Sequence, residues 1–252
     1  MGNISRFLSI TVLTAVVCLS GYKLLGISWQ YAHEEQVREQ LMKYRQEQLT
    51  GPSPNKLMDH SPEHPSEAQS NPFITDLQNE INKDIAGWLT IPNTLIDYAF
   101  VMPQDNDFYL KHDLYGEEAA AGSLFMDCNA SKDFTDFNTF IYGHKMKNNS
   151  MLSDIALFSE VEFFDANKYG TIFLEDRTLT LEIFAYMVIR SDDEIIYCGP
   201  FERAADRKAF WAYIEENACN FREPDKKGRV VTLSTCSYAF NDARSVLLAN
   251  VY

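Results

Sequence analysis

A chain of 252 residues, 46% hydrophobic and 13% aromatic, can build one sizeable core plus appendages. Its formal net charge of −14, concentrated from Phe73 onward, argues against a nucleic-acid partner, which needs clustered Lys and Arg. Five cysteines are scattered as Cys18, Cys128, Cys198, Cys219 and Cys236, with no CxxC pair and no Cys/His cluster, so neither structural zinc nor any other cofactor is expected.

The N-terminus sets the compartment. Phe7 to Tyr22 is uncharged and mostly apolar, and Leu24 to Trp29 extends the run past the single Lys23. A spanning helix needs roughly 20 residues, and a lysine near its outer end can snorkel to the headgroups. Residues 1–29 are therefore expected to be a cytoplasmic tip and transmembrane signal anchor, with the N-terminus inside because Arg6 and the α-amine precede the run. A cleavable signal peptide is the rival, since Cys18-Leu19-Ser20 offers small residues at suitable offsets, whereas Val17 is too bulky for a lipobox. His33 to Leu49 is charged and Gln-rich with Val37, Leu41 and Tyr44 at helical spacing, which predicts a stalk helix. Gly51 to Pro72 is Pro-rich and polar and reads as an extended tether, so residues 30–72 form stalk and linker. His60 and His64 lie in that tether, where i, i+4 spacing carries little meaning without a helix.

The folded domain is expected over residues 73–252. Apolar residues at Phe73, Ile74, Leu77, Ile81 and Ile85 predict a helix over Phe73 to Asp84, capped around Asn71. Short β-like runs follow at Gly87 to Ile91, Leu95 to Met102, Gly122 to Met126, Phe137 to Tyr142, Tyr169 to Leu174, Thr178 to Ile189, Val230 to Thr235 and Ser245 to Val251. Eight such strands between turn signals argue for a sandwich or closed barrel. Two helical insertions are predicted, Ser150 to Phe158 and Phe201 to Asn217, the latter with a core stripe at Phe201, Ala205, Phe210 and Ile214.

The chemistry-bearing residues sit at or near strand ends. Thr232-Leu-Ser-Thr-Cys236 ends a β-branched run just before a polar turn, Tyr142-Gly143-His144 ends another, and Arg244 follows Asp242-Ala243. With Asn138-Thr-Phe-Ile-Tyr-Gly-His144-Lys-Met-Lys-Asn-Asn-Ser-Met151, Gly87-Trp88-Leu89, Asp107-Phe-Tyr-Leu110 and Ala121-Gly-Ser-Leu-Phe-Met-Asp127, the chain resembles a class B sortase, a cell-wall cysteine transpeptidase of Gram-positive bacteria. The resemblance runs from Phe73 to Tyr252, and the long helix before the cysteine strand points to class B rather than class A. It implies a mainly β fold: a closed sortase-type eight-stranded β-barrel with an N-terminal helix and a long helix inserted before the cysteine strand.

The resemblance assigns Cys236 as nucleophile, His144 as general acid and base, and Arg244 as oxyanion donor or substrate clamp. A free Cys titrates near about 8.5 and a free His near about 6.5, so such a pair must be tuned before the thiolate dominates. Ser234 and Thr235 point to opposite strand faces; both are candidates for substrate contact, with Tyr142, Met146 and Tyr238 as further groove residues. His112 has no catalytic context. The eight-residue step from Cys236 to Arg244 leaves little room for a substrate-selecting element, and no acidic cluster suggests a calcium site. The implied activity is cleavage of an NPxT-like or S/PPxTG-like sorting motif after Thr through a thioacyl-enzyme, then transfer to a peptidoglycan or pilin amine. Secreted proteins bearing that motif, the acceptor amine and the cell membrane are the expected partners. A membrane-tethered cysteine hydrolase and a silent scaffold barrel are the alternatives.

Overall fold

The computed structural model describes residues 2–50, 70–197, 199 and 201–252. The chain divides into two compact units, Met1–Asn55 and Lys56–Tyr252. The first is one unbroken helix, α1 (Gly2–Thr50), in which the Trp29 ring stacks on His33 and Arg38 pairs with Glu35 at 2.9 Å. The expected boundary between residues 1–29 and the stalk falls within this helix. Among the described residues no helix is long and apolar enough to cross a membrane, so the expected transmembrane helix is not supported. The earlier part of the run, and the tether with His60 and His64 up to residue 69, lie outside the described side chains or residues.

The second unit opens with α2 (Pro72–Glu80), whose Phe73, Ile74 and Leu77 are buried. It ends four residues earlier than periodicity suggested, because Ile85 belongs to the first strand rather than to the helix. Asn71 does not cap α2 with its side chain. Its amide instead donates to the Leu174 carbonyl at 2.6 Å, the Arg177 carbonyl at 3.0 Å and Thr178 Oγ1 at 3.2 Å, stapling the start of the domain to a distant hairpin. Asn71→Ala removes these bonds and leaves the buried Leu174 carbonyl without its Asn71 donor, and is expected to destabilise the domain by about 1–3 kcal/mol, measured by urea unfolding.

Nine strands follow: β1 (Ile85–Thr90), β2 (Asp97–Val101), β3 (Leu124–Met126), β4 (Asn138–Tyr142), β5 (Tyr169–Phe173), β6 (Thr178–Arg190), β7 (Asn220–Phe221), β8 (Arg229–Cys236) and β9 (Ala243–Val251). They form one sheet in the order β5-β1-β2-β3-β4-β8-β9-β6-β7, and β5 also pairs with β6, which closes eight of them into a barrel. The expected eight-stranded closed barrel is thus present. The two-residue β7 is an addition, paired to β6 at Ala185 and Tyr186 where β5 has already left it.

β6 and β9 carry little period-two signal because both of their faces are covered. Inward residues such as Leu233, Leu247 and Val251 join Leu124, Met126 and Ile141 in the barrel core. Outward residues Phe140, Phe184, Met187, Val230, Val246 and Leu248 pack with Phe210, Trp211 and Ile214 of α4 (Ala204–Asn217). Of the expected α4 stripe, Phe201 precedes the helix and is buried, whereas Ala205 is exposed. The insertion after β4 is a 3-10 helix (Ser153–Ser159) followed by the short α3 (Val161–Ala166).

Two pairings are parallel, β2 with β3 and β4 with β8. A parallel pair needs a crossover rather than a hairpin. The β2–β3 crossover contains the 3-10 turn Phe108–Leu110, and it passes beside the end of β4.

Candidate active site

The outward face of β8 carries Val230, Thr232, Ser234 and Cys236, since alternate residues share a face. Cys236, the last strand residue, is half-buried and lies directly opposite Arg244 of β9. Opposed residues of an antiparallel pair have Cβ atoms about 5 Å apart on one face, so thiol and guanidinium are neighbours by register. On the other side β4 runs parallel to β8, with Tyr142 paired to Ser234 and the Gly143 N–H donating to the Ser234 carbonyl at 3.2 Å. That register carries the half-buried His144, two residues past Tyr142, toward the level of Cys236. Three adjacent chains thus bring His144, Cys236 and Arg244 to one end of the barrel.

The imidazole is held from behind. His144 Nε2 lies 2.8 Å from the Leu110 carbonyl, which can only accept, so Nε2 carries the proton and Nδ1 is the nitrogen left for proton exchange. Leu110 is fixed by its neighbours. Tyr109 donates its hydroxyl to Asp84 at 2.9 Å and accepts from Asn82 at 2.7 Å, and burial pushes the phenol pKa up to about 12. Gly122 sits at φ +57, where a Cβ would collide with the Tyr109 carbonyl oxygen and come within 2.9 Å of the Leu110 carbonyl. Gly122→Ala is expected to destabilise the domain by about 1–3 kcal/mol, read by thermal unfolding. Gly143 is also without space, its missing Cβ being hemmed by the side chains of Leu124 and Leu152.

Residues that sequence reasoning missed wall the outer face. Tyr197 shares a 2.8 Å hydrogen bond with Ser234 Oγ and packs its ring 5.6 Å from Phe140. Burial raises its pKa, Arg244 lowers it and Cys236 raises it, which places the phenol within the field of both. Its segment is knotted by Asp193, whose carboxylate accepts from the Ile195 and Ile196 N–H groups at 3.0 and 2.8 Å and from the Tyr213 hydroxyl of α4 at 2.5 Å. Nothing in Ile195-Ile196-Tyr197 distinguishes it from a core run, so only the fold reveals it.

The other predicted groove residues divide. Ser234 shares the Cys236 face, whereas Thr235 turns toward the barrel interior, is 2% exposed and has no hydrogen-bond partner for its hydroxyl; strand alternation removes it from the groove. Tyr142 is half-buried, stacks on Phe140 at 5.8 Å and donates to Asp127 at 3.4 Å, with burial raising its pKa. Tyr238 stands in the six-residue turn after Cys236, 72% exposed, with Lys145 Nζ 5.1 Å from its ring centroid. Met146 packs against the barrel core. His112 bonds the Phe108 carbonyl through Nδ1 at 2.8 Å and stacks on the Phe108 ring. Cys18, Cys128, Cys219 and Cys236 are free thiols, with Cys219 exposed; Cys198 lies outside the described residues. Among the described residues no group of His, Cys, Asp and Glu could hold a metal ion.

The chain is similar in sequence and in fold to sortase B proteins. The chain is 34% identical over 166 residues to Sortase B of Listeria monocytogenes, an alignment spanning 65% of this chain and 66% of that protein. It superposes on the X-ray structure of Clostridium perfringens sortase B with a TM-score of 0.66 and 33% identity, covering 71% of this chain and 98% of that one. It also superposes on a Staphylococcus aureus sortase B–substrate complex with a TM-score of 0.73 and 25% identity, covering 88% and 98% of the two chains. No family model matches the chain.

Proposed function

This chain belongs to the class B sortase family, and we propose that it is a cell-surface cysteine transpeptidase that uses Cys236, His144 and Arg244 to move a protein from its sorting motif to an amine. The observation that carries the reading is the shared face: Cys236 and Arg244 opposed across β8 and β9, with His144 delivered beside them by the parallel β4–β8 register.

In this reading the Cys236 thiolate attacks the carbonyl after Thr of an NPxT-like or S/PPxTG-like motif. Arg244, always charged and able to donate in a fork, stabilises the developing oxyanion or holds the substrate backbone. His144 gives the departing amine its proton through Nδ1 and takes one from the acceptor in the second half-reaction. Ser234, Tyr197 and Tyr142 line the side of the groove along β8, where the acyl portion of the motif lies.

Membrane attachment is the finer part of the reading. It rests on the uncharged run Phe7 to Tyr22 alone. Full-length protein that stays with membranes through carbonate extraction supports it, and release to the supernatant removes it.

The deciding experiment incubates the chain with a panel of quenched pentapeptides, with and without triglycine, and reads the products by mass spectrometry. A ligated product that disappears in Cys236→Ala establishes transpeptidation and names the motif. Free acid alone, with triglycine present, favours the hydrolase. No cleavage with an unreactive Cys236 thiol favours the scaffold.

A further inference from the structure

Lys145 and Tyr238 follow directly on the two reacting residues. Lys145 is next to His144, and Tyr238 lies two residues past Cys236. They meet across the end of the barrel, with the Lys145 ammonium 5.1 Å from the Tyr238 ring centroid, inside the roughly 6 Å range of cation–π attraction. On the other flank, along the body of β8, Tyr197 shares a 2.8 Å hydrogen bond with Ser234 Oγ. In the transpeptidase reading the acyl side of the substrate is assigned to the Ser234 side of Cys236. The amine side, both leaving group and incoming acceptor, then lies toward the strand end, where the Tyr238 ring stands 72% exposed.

We propose that the face of Tyr238 is the subsite for the acceptor amine in its ammonium form, and that Lys145 occupies this subsite until the acceptor displaces it. The inference rests on the transpeptidase reading above.

An aromatic face suits a primary ammonium because the ring quadrupole attracts cations without demanding a fixed hydrogen-bond geometry. The chain's net charge of −14 adds long-range attraction for a cationic acceptor. Once docked, the ammonium gives one proton to His144 and becomes a neutral nucleophile. Its nitrogen forms the C–N bond to the thioester carbonyl, and the C–S bond breaks with its electron pair returning to Cys236 Sγ. The second proton leaves the nitrogen for solvent as the amide forms, so Cys236 ends as thiolate beside protonated His144. Tyr238 takes no part in the proton transfers; it holds the amine beside the imidazole that must deprotonate it.

This role differs in sign from a purely structural strap. If the Lys145–Tyr238 contact only orders the two loops, removing either partner harms the enzyme in the same direction. If the ring is a cation subsite and Lys145 its resident competitor, the two substitutions oppose each other.

The test acylates full-length protein with an intact donor peptide and lets the thioester partition between triglycine amide, cationic at neutral pH, and hydroxylamine, which is neutral there. Mass spectrometry reads the ratio of glycine amide to hydroxamate. Tyr238→Leu is expected to lower that ratio by about two- to fivefold, the range for an exposed cation–π contact, and Lys145→Met to raise it by a similar factor. Tyr238→Phe, which keeps the ring, should retain the wild-type ratio. Equal ratios in all four proteins, or a fall in both Tyr238→Leu and Lys145→Met, overturns the subsite. A wild type that forms hydroxamate but no glycine amide overturns it too. Absence of any Cys236-dependent thioester defeats the underlying transpeptidase reading, and the subsite with it.

Discussion

Cys236→Ala is expected to remove acyl-enzyme formation and to lower donor cleavage by about four orders of magnitude or more, toward the uncatalysed background. No neighbouring group replaces the thiol. Ser234, two residues back on the same face, is hydrogen-bonded to Tyr197 at 2.8 Å, and Thr235 faces the barrel interior at 2% exposure. The fold should tolerate the change, since Cys236 is only half-buried at the end of β8 and its backbone is held by the ladder with β9. Iodoacetamide labelling followed by peptide mapping is the companion measurement, with Cys128→Ala and Cys219→Ala as controls that keep cleavage. Substantial residual cleavage in Cys236→Ala would falsify the assignment of the nucleophile.

Arg244→Lys is expected to lower kcat by about 10²- to 10³-fold while leaving thermal stability near that of the parent, because the ammonium keeps the charge but loses the planar fork. The guanidinium lies across from Cys236, within the field of Tyr197, with Nη1 donating to the Ala243 carbonyl at 3.1 Å. An arginine has five N–H donors, so this tie orients the group while others can serve the substrate. A fall in kcat with KM little changed identifies an oxyanion donor, since such an interaction exists only in the transition state. A rise in KM with kcat retained identifies a clamp on the substrate backbone. Near-parental kinetics in Arg244→Met would remove the residue from the site altogether.

Both predictions rest on register. The sequence shows Cys236 at the end of one apolar run and Arg244 near the start of the next, eight residues on, and a hairpin between them is the natural reading. Their opposition follows from an antiparallel ladder with a six-residue turn, and the positive φ of Asp242, +59°, lets the chain re-enter β9 one residue before Arg244. His144 is different. Ninety-two residues separate it from Cys236 in the chain, and only the parallel pairing of β4 with β8 makes them neighbours.

What the sequence by itself determined is what local chemistry encodes: the eight barrel strands and the helix before the cysteine strand. Those readings succeed because strand propensity, turn residues and motif order act over short stretches of chain. The tertiary structure decided what depends on distant partners. It turned Asn71 from a helix cap into a staple on the β5–β6 hairpin, and it set the Leu110 carbonyl behind His144. It brought Tyr197 onto Ser234 and sent Thr235 inward. A backbone carbonyl has no side-chain signature, and a tyrosine in an apolar run looks like any core residue. Their roles arise only when barrel closure fixes which strands are adjacent and in what register, because hydrogen bonds are made between positions in space and not between positions in the chain.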